Sequence, residues 1–303
     1  MLSLEPIEQF LASLASQGGF SGNTLSAYRN DLGQFATYLN TEPGPAHLPA
    51  TDWSLIGRDH IISFILHLKE RGFATTTVAR KQAAVKSFFK YLVAQGVLKT
   101  NPGDDLASPH VDRALPQTIT TSEADRLISE IDRPASSPEA LRDRAMMHLI
   151  YDTGLRVGEL VALNTGDLDL DAGTVTIVTA SKSRKVPIGS ALSVALVRDY
   201  LDKAQPVLAR ADVGATLAQE GVAALFLNHR GQRLTRQGFW LILKRYAERA
   251  GLGDVSPHTL RHSFAAQKLM SGTDMRDLQM VLGHASISTT QVYARIGEEK
   301  KRK

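Results

Sequence analysis

The sequence contains no cysteine among its 303 residues. This absence excludes disulfide bonds, thiolate nucleophiles, and zinc or iron–sulfur sites with cysteine ligands. It fits a reducing compartment, and we expect a cytoplasmic protein. An HExxH motif and an evident cluster of metal-binding carboxylates are missing too, so we expect chemistry that uses no metal and no other cofactor.

Long apolar runs are also missing. IISFILHL (61–68) is among the longest, and a membrane span needs roughly 18 apolar residues. The first residues, MLSLEPIEQFLASL, include acids and no basic segment, which is atypical of a signal peptide. We therefore expect no membrane association. The pI near 9.2 permits an acidic partner such as nucleic acid.

The pattern along the chain predicts two domains. The first hundred residues have apolar residues at helical spacing and no strand-like segment. NPGDDLASPHVDRALPQT (101–118) is rich in Pro, Gly and Asp and is typical of a linker. After it, helical segments alternate with two predicted strands, GTVTIVT and KVPI. We predict a mainly α fold with a small β-sheet (α+β): a helical domain over 1–105, a linker over 106–117 and a second domain over 118–303.

SPHTLRHSF (256–264) concentrates cationic donors at the start of a predicted helix. Pro257 suits the first helical position, and His258 and Arg261 share a face because they are three residues apart. A helix start already favours anions, and a guanidinium with an imidazole adds a phosphate cradle. The alternative is a capped helix with solvated charges, which this stretch alone does not exclude.

Three further stretches add polar groups to this inventory. They are TGLRVGEL (153–160) with Arg156, TASKSRKVPI (179–188) with Lys182, and VLGHASISTTQVYARI (281–296) with His284 and Tyr293. Two arginines, two histidines, a lysine and a tyrosine are what phosphoryl transfer without a metal requires. Arginines stabilise a pentacoordinate phosphorane, histidine and lysine transfer protons, and tyrosine can form a covalent intermediate.

These motifs, in this order, resemble those of the tyrosine recombinases, also called the phage integrase family, of the Xer type. TGLRVGEL, HTLRHSFA and LGHASISTTQVYARI carry the resemblance. The N-terminal pattern T-x3-Y-x2-D-L-x2-F (24–35) is similar to the core-binding domain of the family. The resemblance implies a helical, SAM-like, DNA-binding domain followed by a catalytic domain.

The resemblance also implies roles for six residues in strand cleavage. Tyr293 would attack the scissile phosphate, leaving a 3′-phosphotyrosyl bond and a free 5′-hydroxyl. Arg156 and Arg261 would clamp the phosphate, and His284 would donate to a non-bridging oxygen. His258 would accept the tyrosine proton, and Lys182 would protonate the 5′-oxygen that leaves. Neither ATP nor a metal is implied.

Two features depart from the family pattern. The turn SKSRKVP is shorter than the usual hairpin and lacks its glycines, so Lys185 is an alternative to Lys182. The segment after Tyr293, ARIGEEKKRK, has few apolar residues where Xer-type chains carry a further helix that docks into a neighbouring subunit.

The expected partner is duplex DNA with paired half-sites, held by a two-domain clamp. Hydroxyls and cations near the start of one N-terminal helix suit phosphate contacts; they are Thr75, Thr76, Thr77, Arg80, Lys81 and Lys86. The resemblance further implies a tetramer of recombinases, a possible second related recombinase, and a possible DNA translocase.

The expected function is site-specific recombination, with resolution of chromosome or plasmid dimers as the Xer-type role. The alternatives are an integrase or transposase-type recombinase of a mobile element, and a DNA strand transferase like the type IB topoisomerases. A DNA-binding protein without catalysis is disfavoured because every expected functional group is present.

Overall fold

The computed structural model of the chain describes residues 1–18, 20–41, 52–107, 117–134, 136–179, 183–210, 224–284, 286–287 and 289–293. It divides into two compact units, Met1–Arg113 and Ala114–Lys303. Helices dominate both units, and the sheet formed by the described residues has three strands, which confirms the predicted α+β class. Most of the predicted linker lies outside the described residues.

The first unit is helical throughout its described part. Its helices are α1 Glu5–Gln17, α2 Gly22–Thr41, α3 Arg58–Glu70 and α4 Thr75–Ala94, with a 3₁₀ turn at Trp53–Leu55. In α2, Leu32, Phe35 and Leu39 are buried on one side, as their helical spacing predicts.

Aromatic rings make up much of the core of this unit. Phe35 lies 5.0 Å from Phe64 and 6.2 Å from Phe89 between ring centroids. Trp53 meets Phe88 edge to face at 4.8 Å, and its indole Nε1 donates to the Ser3 carbonyl at 2.8 Å. Offset and edge-to-face pairs of this kind are the favoured arrangements of aromatic side chains.

The second unit surrounds its sheet with helices. Its elements are α5 Thr121–Ile131, α6 Pro138–Thr153, α7 Val157–Ala162, a 3₁₀ turn Thr165–Asp167, β1 Leu168–Asp169, β2 Thr174–Val178, β3 Ser183–Pro187, α8 Ala191–Asp199, a π-helical turn Tyr200–Ala204, α9 Gln205–Ala209, α10 Arg236–Arg249, α11 Pro257–Met270 and α12 Met275–Leu282.

The sheet is antiparallel in the order β1-β2-β3. β2 and β3 pair from Thr174 with Pro187 to Val178 with Ser183, which confirms the hairpin predicted from GTVTIVT and KVPI. ALFLN (224–228) forms only isolated bridges, between Ala224 and Asn164 and between Leu227 and Arg233.

Helix α6 runs through the core of the second unit and fixes where the next segment begins. Ala145, Met146, Leu149 and Ile150 are fully buried, so α6 packs against neighbours on several sides. It ends at Gly154, which has a φ of +62° and takes the left-handed C-cap position. The chain then turns directly into α7.

Candidate active site

The turn between α6 and α7 delivers the first arginine. A Cβ on Gly154 would lie 2.3 Å from the Phe264 ring of α11, so glycine is needed here for close packing as well as for its positive φ. Arg156 is the N-cap of α7, and its side chain is 42% exposed. Its Nη1 donates to Glu159 at 3.0 Å and its Nη2 to the Gly283 carbonyl at 3.1 Å.

Glu159 connects two arginines beneath this turn. Its Oε1 accepts from Arg156, and its Oε2 accepts from the Arg156 amide at 2.8 Å and from Arg184 Nη2 of β3 at 2.9 Å. Burial alone would raise the pKa of Glu159. The amide hydrogen bond and the charges of Arg184 and Arg156 outweigh burial and lower that pKa below its usual value. The carboxylate is therefore charged at neutral pH.

The second arginine, Arg261 of α11, is 4% exposed. It donates to the carbonyls of Gly154 and Leu282, each at 2.6 Å, and its Nη2 lies 3.1 Å from His284 Nε2. Burial and the nearby charge of Arg156 lower the pKa of Arg261 to about 10, so it stays charged at neutral pH. These bonds join the ends of α6 and α12 at one guanidinium.

His284 follows Gly283, the left-handed cap of α12. A guanidinium can only donate, so His284 Nε2 is the acceptor from Arg261. The ring proton is then on Nδ1, which lies 3.0 Å from Thr290 Oγ1. Burial, together with the charges of Arg261 and Arg156, lowers the pKa of His284 to about 4. His284 is thus a neutral imidazole whose two nitrogens are both engaged.

Tyr293 lies in helical backbone beside α11 and α12 and is only 2% exposed. Its ring joins a small apolar cluster that includes Phe264, Leu278 and Leu282. Burial raises the pKa of its hydroxyl, and the charges of Arg261 and Arg156 partly oppose that rise. The His284 ring stacks on it, with centroids 6.1 Å apart.

Among the described residues, the hydrogen-bond partner of the Tyr293 hydroxyl is His262, whose Nδ1 lies 2.8 Å away. Burial, with His258 and Arg261 nearby, lowers the pKa of His262 to about 4. His258 lies one turn earlier on α11 and is exposed. Its ring centroid is 6.2 Å from that of His262. In this structure His262, and not His258, is therefore the histidine in hydrogen-bond contact with the Tyr293 hydroxyl.

The structure thus brings four of the six predicted residues into one connected group: Arg156, Arg261, His284 and Tyr293. His258 adjoins this group through the His262 ring, and Lys182 lies outside the described residues. Sequence reasoning missed Glu159, Arg184 and His262. The sequence carried a signal for two of them. Glu159 follows Arg156 by three residues and His262 follows His258 by four, and residues at these spacings lie on the same face of a helix.

The β2–β3 register separates the two basic residues of β3. Arg184 and the buried Val186 alternate with Lys185, which is exposed and pairs with Thr176. Successive side chains of a strand point to opposite faces. Lys185 consequently faces away from Arg184 and from the Glu159 network.

The residues of α4 that were predicted to contact DNA differ in their exposure. Thr75 and Thr76 are exposed in the first turn, Thr77 is half-buried there, and Arg80 is 46% exposed although it pairs with Asp31. Lys86 is half-buried and donates to the Leu106 carbonyl.

Lys81 does not fit a DNA contact, and this corrects the expectation from the sequence. It is 1% exposed, and its ammonium lies 2.9 Å from Asp31 and 2.7 Å from Gln34. A lysine that neutralises a buried carboxylate in this way belongs to the core of the helical unit.

Within the described ranges, no cluster of three or more His, Asp or Glu side chains is placed to hold a metal ion. No helix of those ranges is long and apolar enough to cross a membrane.

The chain matches two known families. The one described as "Phage integrase family" matches residues 117–300, and the one described as "Phage integrase, N-terminal SAM-like domain" matches residues 7–96. Tyrosine recombinase XerC of Herpetosiphon aurantiacus is 48% identical over 98% of this chain and 92% of its own length. Tyrosine recombinase XerD of Listeria monocytogenes is 40% identical over 96% and 93%.

Among solved structures, XerH site-specific recombinase bound to a palindromic difH substrate matches with a TM-score of 0.72 at 22% identity, covering 91% of this chain and 77% of that one. The Tn1549 transposon integrase in complex with a circular intermediate DNA also matches at 0.72, with 18% identity, covering 96% and 98%. At these identities the likeness concerns the fold alone.

Proposed function

Since the chain belongs to the phage integrase family of tyrosine recombinases, which cleave and rejoin DNA, we propose that it does so through a 3′-phosphotyrosyl bond to Tyr293. The observation that carries this proposal is the convergence of Arg156, Arg261 and His284 around that tyrosine. Because the covalent bond conserves the energy of the phosphodiester, rejoining requires no ATP.

The arginines supply the electrostatic part of the reaction. Arg156 is partly exposed and uses Nη2 on a carbonyl, so a phosphate oxygen can compete for it. Arg261 is held in place by two carbonyls, which fixes its charge before DNA arrives. Guanidinium groups held in advance stabilise the developing phosphorane charge without reorganising during the reaction.

His284 and Lys182 are proposed to serve the phosphate and the leaving group. For His284 to donate from Nε2, that nitrogen must gain a proton, and a bound phosphate favours this by opposing the charges of Arg261 and Arg156. Lys182 is proposed as the acid for the 5′-oxygen. The exposed position of Lys185, on the opposite face of β3 from Arg184, favours Lys182 over it.

For the chain as a whole, we propose a core-binding domain over 1–105 and a catalytic domain over 118–303, which together hold duplex DNA. In the first domain, Thr75, Thr76, Thr77, Arg80 and Lys86 are the proposed contacts, without Lys81. The XerC and XerD relatives support an Xer-type recombinase, and the role we propose for it is resolution of chromosome or plasmid dimers in the cytoplasm. A tetramer on two sites, with or without a second recombinase, is part of this proposal.

The experiment that tests the proposal begins with selection of bound duplexes from a random pool, which supplies the target site. The protein is then incubated with that site carrying a nick next to the cleavage position, and products are run on a denaturing gel. We expect a covalent protein–DNA band with the wild type and none with Tyr293→Phe. A wild type that forms no such band on its own selected site contradicts the proposal.

A further inference from the structure

Among the described residues, the hydroxyl of Tyr293 has one hydrogen-bond partner, which is His262. His262 Nδ1 lies 2.8 Å from the hydroxyl oxygen, and the two rings are 5.4 Å apart between centroids at an angle of 45°. His262 is half-buried, so this contact is partly shielded from water and is stronger than a surface hydrogen bond.

Among the described residues, the other polar groups near the phenol cannot take its proton in this arrangement. Arg261 can only donate, and it donates to Gly154, Leu282 and His284. His284 stacks on the phenol ring, and both of its nitrogens already have partners. His258 is exposed and lies beyond His262.

The helix explains why His262 reaches the phenol. His258 and His262 are four residues apart and share a face of α11, whereas Arg261 points into the core. The first of the two histidines lies in the first turn of the helix, near solvent. The second lies one turn deeper, at the level of Tyr293.

We propose that His262 is a catalytic residue that accepts the proton of the Tyr293 hydroxyl during cleavage and returns it during rejoining. This inference rests on the proposed function, because it concerns the same nucleophile. It assigns to His262 the role that the family resemblance gives to His258.

The Tyr293 oxygen forms a bond to phosphorus while its proton moves to His262 Nδ1, and the bond from phosphorus to the 5′-oxygen breaks as the general acid protonates that oxygen. In rejoining, the 5′-hydroxyl attacks phosphorus and loses its proton to the former acid. The bond to Tyr293 then breaks, and His262 returns its proton to the phenolate.

The electrostatic surroundings leave His262 able to accept. Its pKa is lowered to about 4 by burial and by His258 and Arg261, so at neutral pH it is uncharged and has one nitrogen with a free lone pair. A phosphate bound between the arginines opposes the charge of Arg261, which raises the proton affinity of His262 when the reaction needs it.

The test separates reactions that use the tyrosine from one that does not. The first measurement is the rate of covalent adduct formation on a nicked target duplex. The second is joining of a DNA strand that carries a 3′-(p-nitrophenyl) phosphate to a 5′-hydroxyl strand. In the second reaction p-nitrophenolate leaves without being protonated, and neither Tyr293 nor its proton acceptor takes part.

For His262→Ala we expect adduct formation to slow by about 10²-fold or more, which is the usual size of a lost proton transfer. Joining of the p-nitrophenyl strand should stay within a few-fold of the wild type. His262→Gln, which is polar but a poor proton acceptor, should behave in the same way.

Three control variants define the outcomes. Tyr293→Phe should join the activated strand without forming an adduct, Arg261→Ala should fail in both reactions, and His258→Ala should form the adduct faster than His262→Ala.

The proposal for His262 is wrong if its variants form the adduct at the wild-type rate. It is also wrong if both of them lose joining, because His262 then acts on the phosphate or on the fold. Absence of a wild-type adduct would instead contradict the proposed function itself.

Discussion

At the scale of single residues, burial decides what a charged side chain can do. Arg261 and Lys81 are both almost fully buried, yet their surroundings differ. Arg261 meets carbonyl oxygens and an imidazole, so its charge is not neutralised and remains available to an anion. Lys81 meets the carboxylate of Asp31, so its charge is already satisfied. A buried cation without an acid is therefore the stronger indication of an anionic ligand.

The pair Lys81 and Arg80 gives a prediction at this scale. Among the described residues, Lys81→Met leaves the fully buried Asp31 with Arg80 as its one charged partner, and breaking a buried pair costs about 3–5 kcal/mol. We expect the helical unit to lose stability by roughly that amount in guanidinium unfolding, followed by fluorescence of the buried Trp53 in a Trp240→Phe background.

Arg80→Ala is the matched variant for DNA binding. Its guanidinium is 46% exposed, so removing it should cost less stability. Arg80→Ala should also lose about one phosphate contact. A plot of the logarithm of the DNA-binding constant against the logarithm of the salt concentration should then have a slope that is shallower by roughly 0.9. An unchanged slope for Arg80→Ala would remove this residue from the proposed DNA surface.

At the scale of elements, the site depends on how three chain segments meet. Arg184 of β3 donates to Glu159 of α7 and, at 3.0 Å, to the Val281 carbonyl near the end of α12. A Cβ on Gly283 would lie 2.9 Å from the Arg184 guanidinium. The hairpin, the start of α7 and the end of α12 are therefore joined through one side chain, and Gly283 provides the space for it.

This junction predicts different effects for neighbouring residues of β3. Arg184→Ala should slow adduct formation by about tenfold or more, because Glu159 and the α12 end lose a shared donor and the site loses its alignment. Lys185→Ala should leave the rate within a few-fold, since Lys185 is exposed on the other face. The measurement is the rate of covalent band formation for both variants at saturating protein. Equal defects would show that the junction does not align the site.

At the scale of the whole molecule, the second unit keeps neutral histidines in a positively charged site. His262 and His284 have pKa values of about 4 in the folded protein, against 6.5 for an unperturbed histidine. Between these values the unfolded chain binds more protons than the folded one, so stability rises with pH. This contribution is fully present above pH 6.5 and is lost as the pH falls from 6.5 towards 4.

We therefore expect the free energy of unfolding of the second unit to fall more steeply between pH 7 and 4.5 in the wild type than in a variant carrying His262→Gln and His284→Gln. The two tryptophans lie in different units, so Trp240 fluorescence in a Trp53→Phe background follows the second unit. Replacement of the exposed His229 by Gln is the control. Equal pH dependence in all three proteins would contradict the prediction.

The sequence alone determined the helices and the chemical groups available to the site. Apolar spacing predicted α2 and the other main helices because a helix buries one face at a fixed period. Pro257 marked where α11 begins, since proline suits the first helical position. The motifs that resemble those of the tyrosine recombinases pointed to the arginines, to His284 and to Tyr293.

Only the tertiary structure decided which partner each of these groups has. It buried Lys81 against Asp31, turned Lys185 away from the site, and placed His262 rather than His258 against the phenol. The direction of Lys185 follows from the alternation along β3 once the strand is placed, but the burial of Lys81 and the contact of His262 do not follow from local periodicity. The partners are 31 to 50 residues apart for the two contacts, and their meeting depends on how separate helices pack, which adjacent residues do not encode.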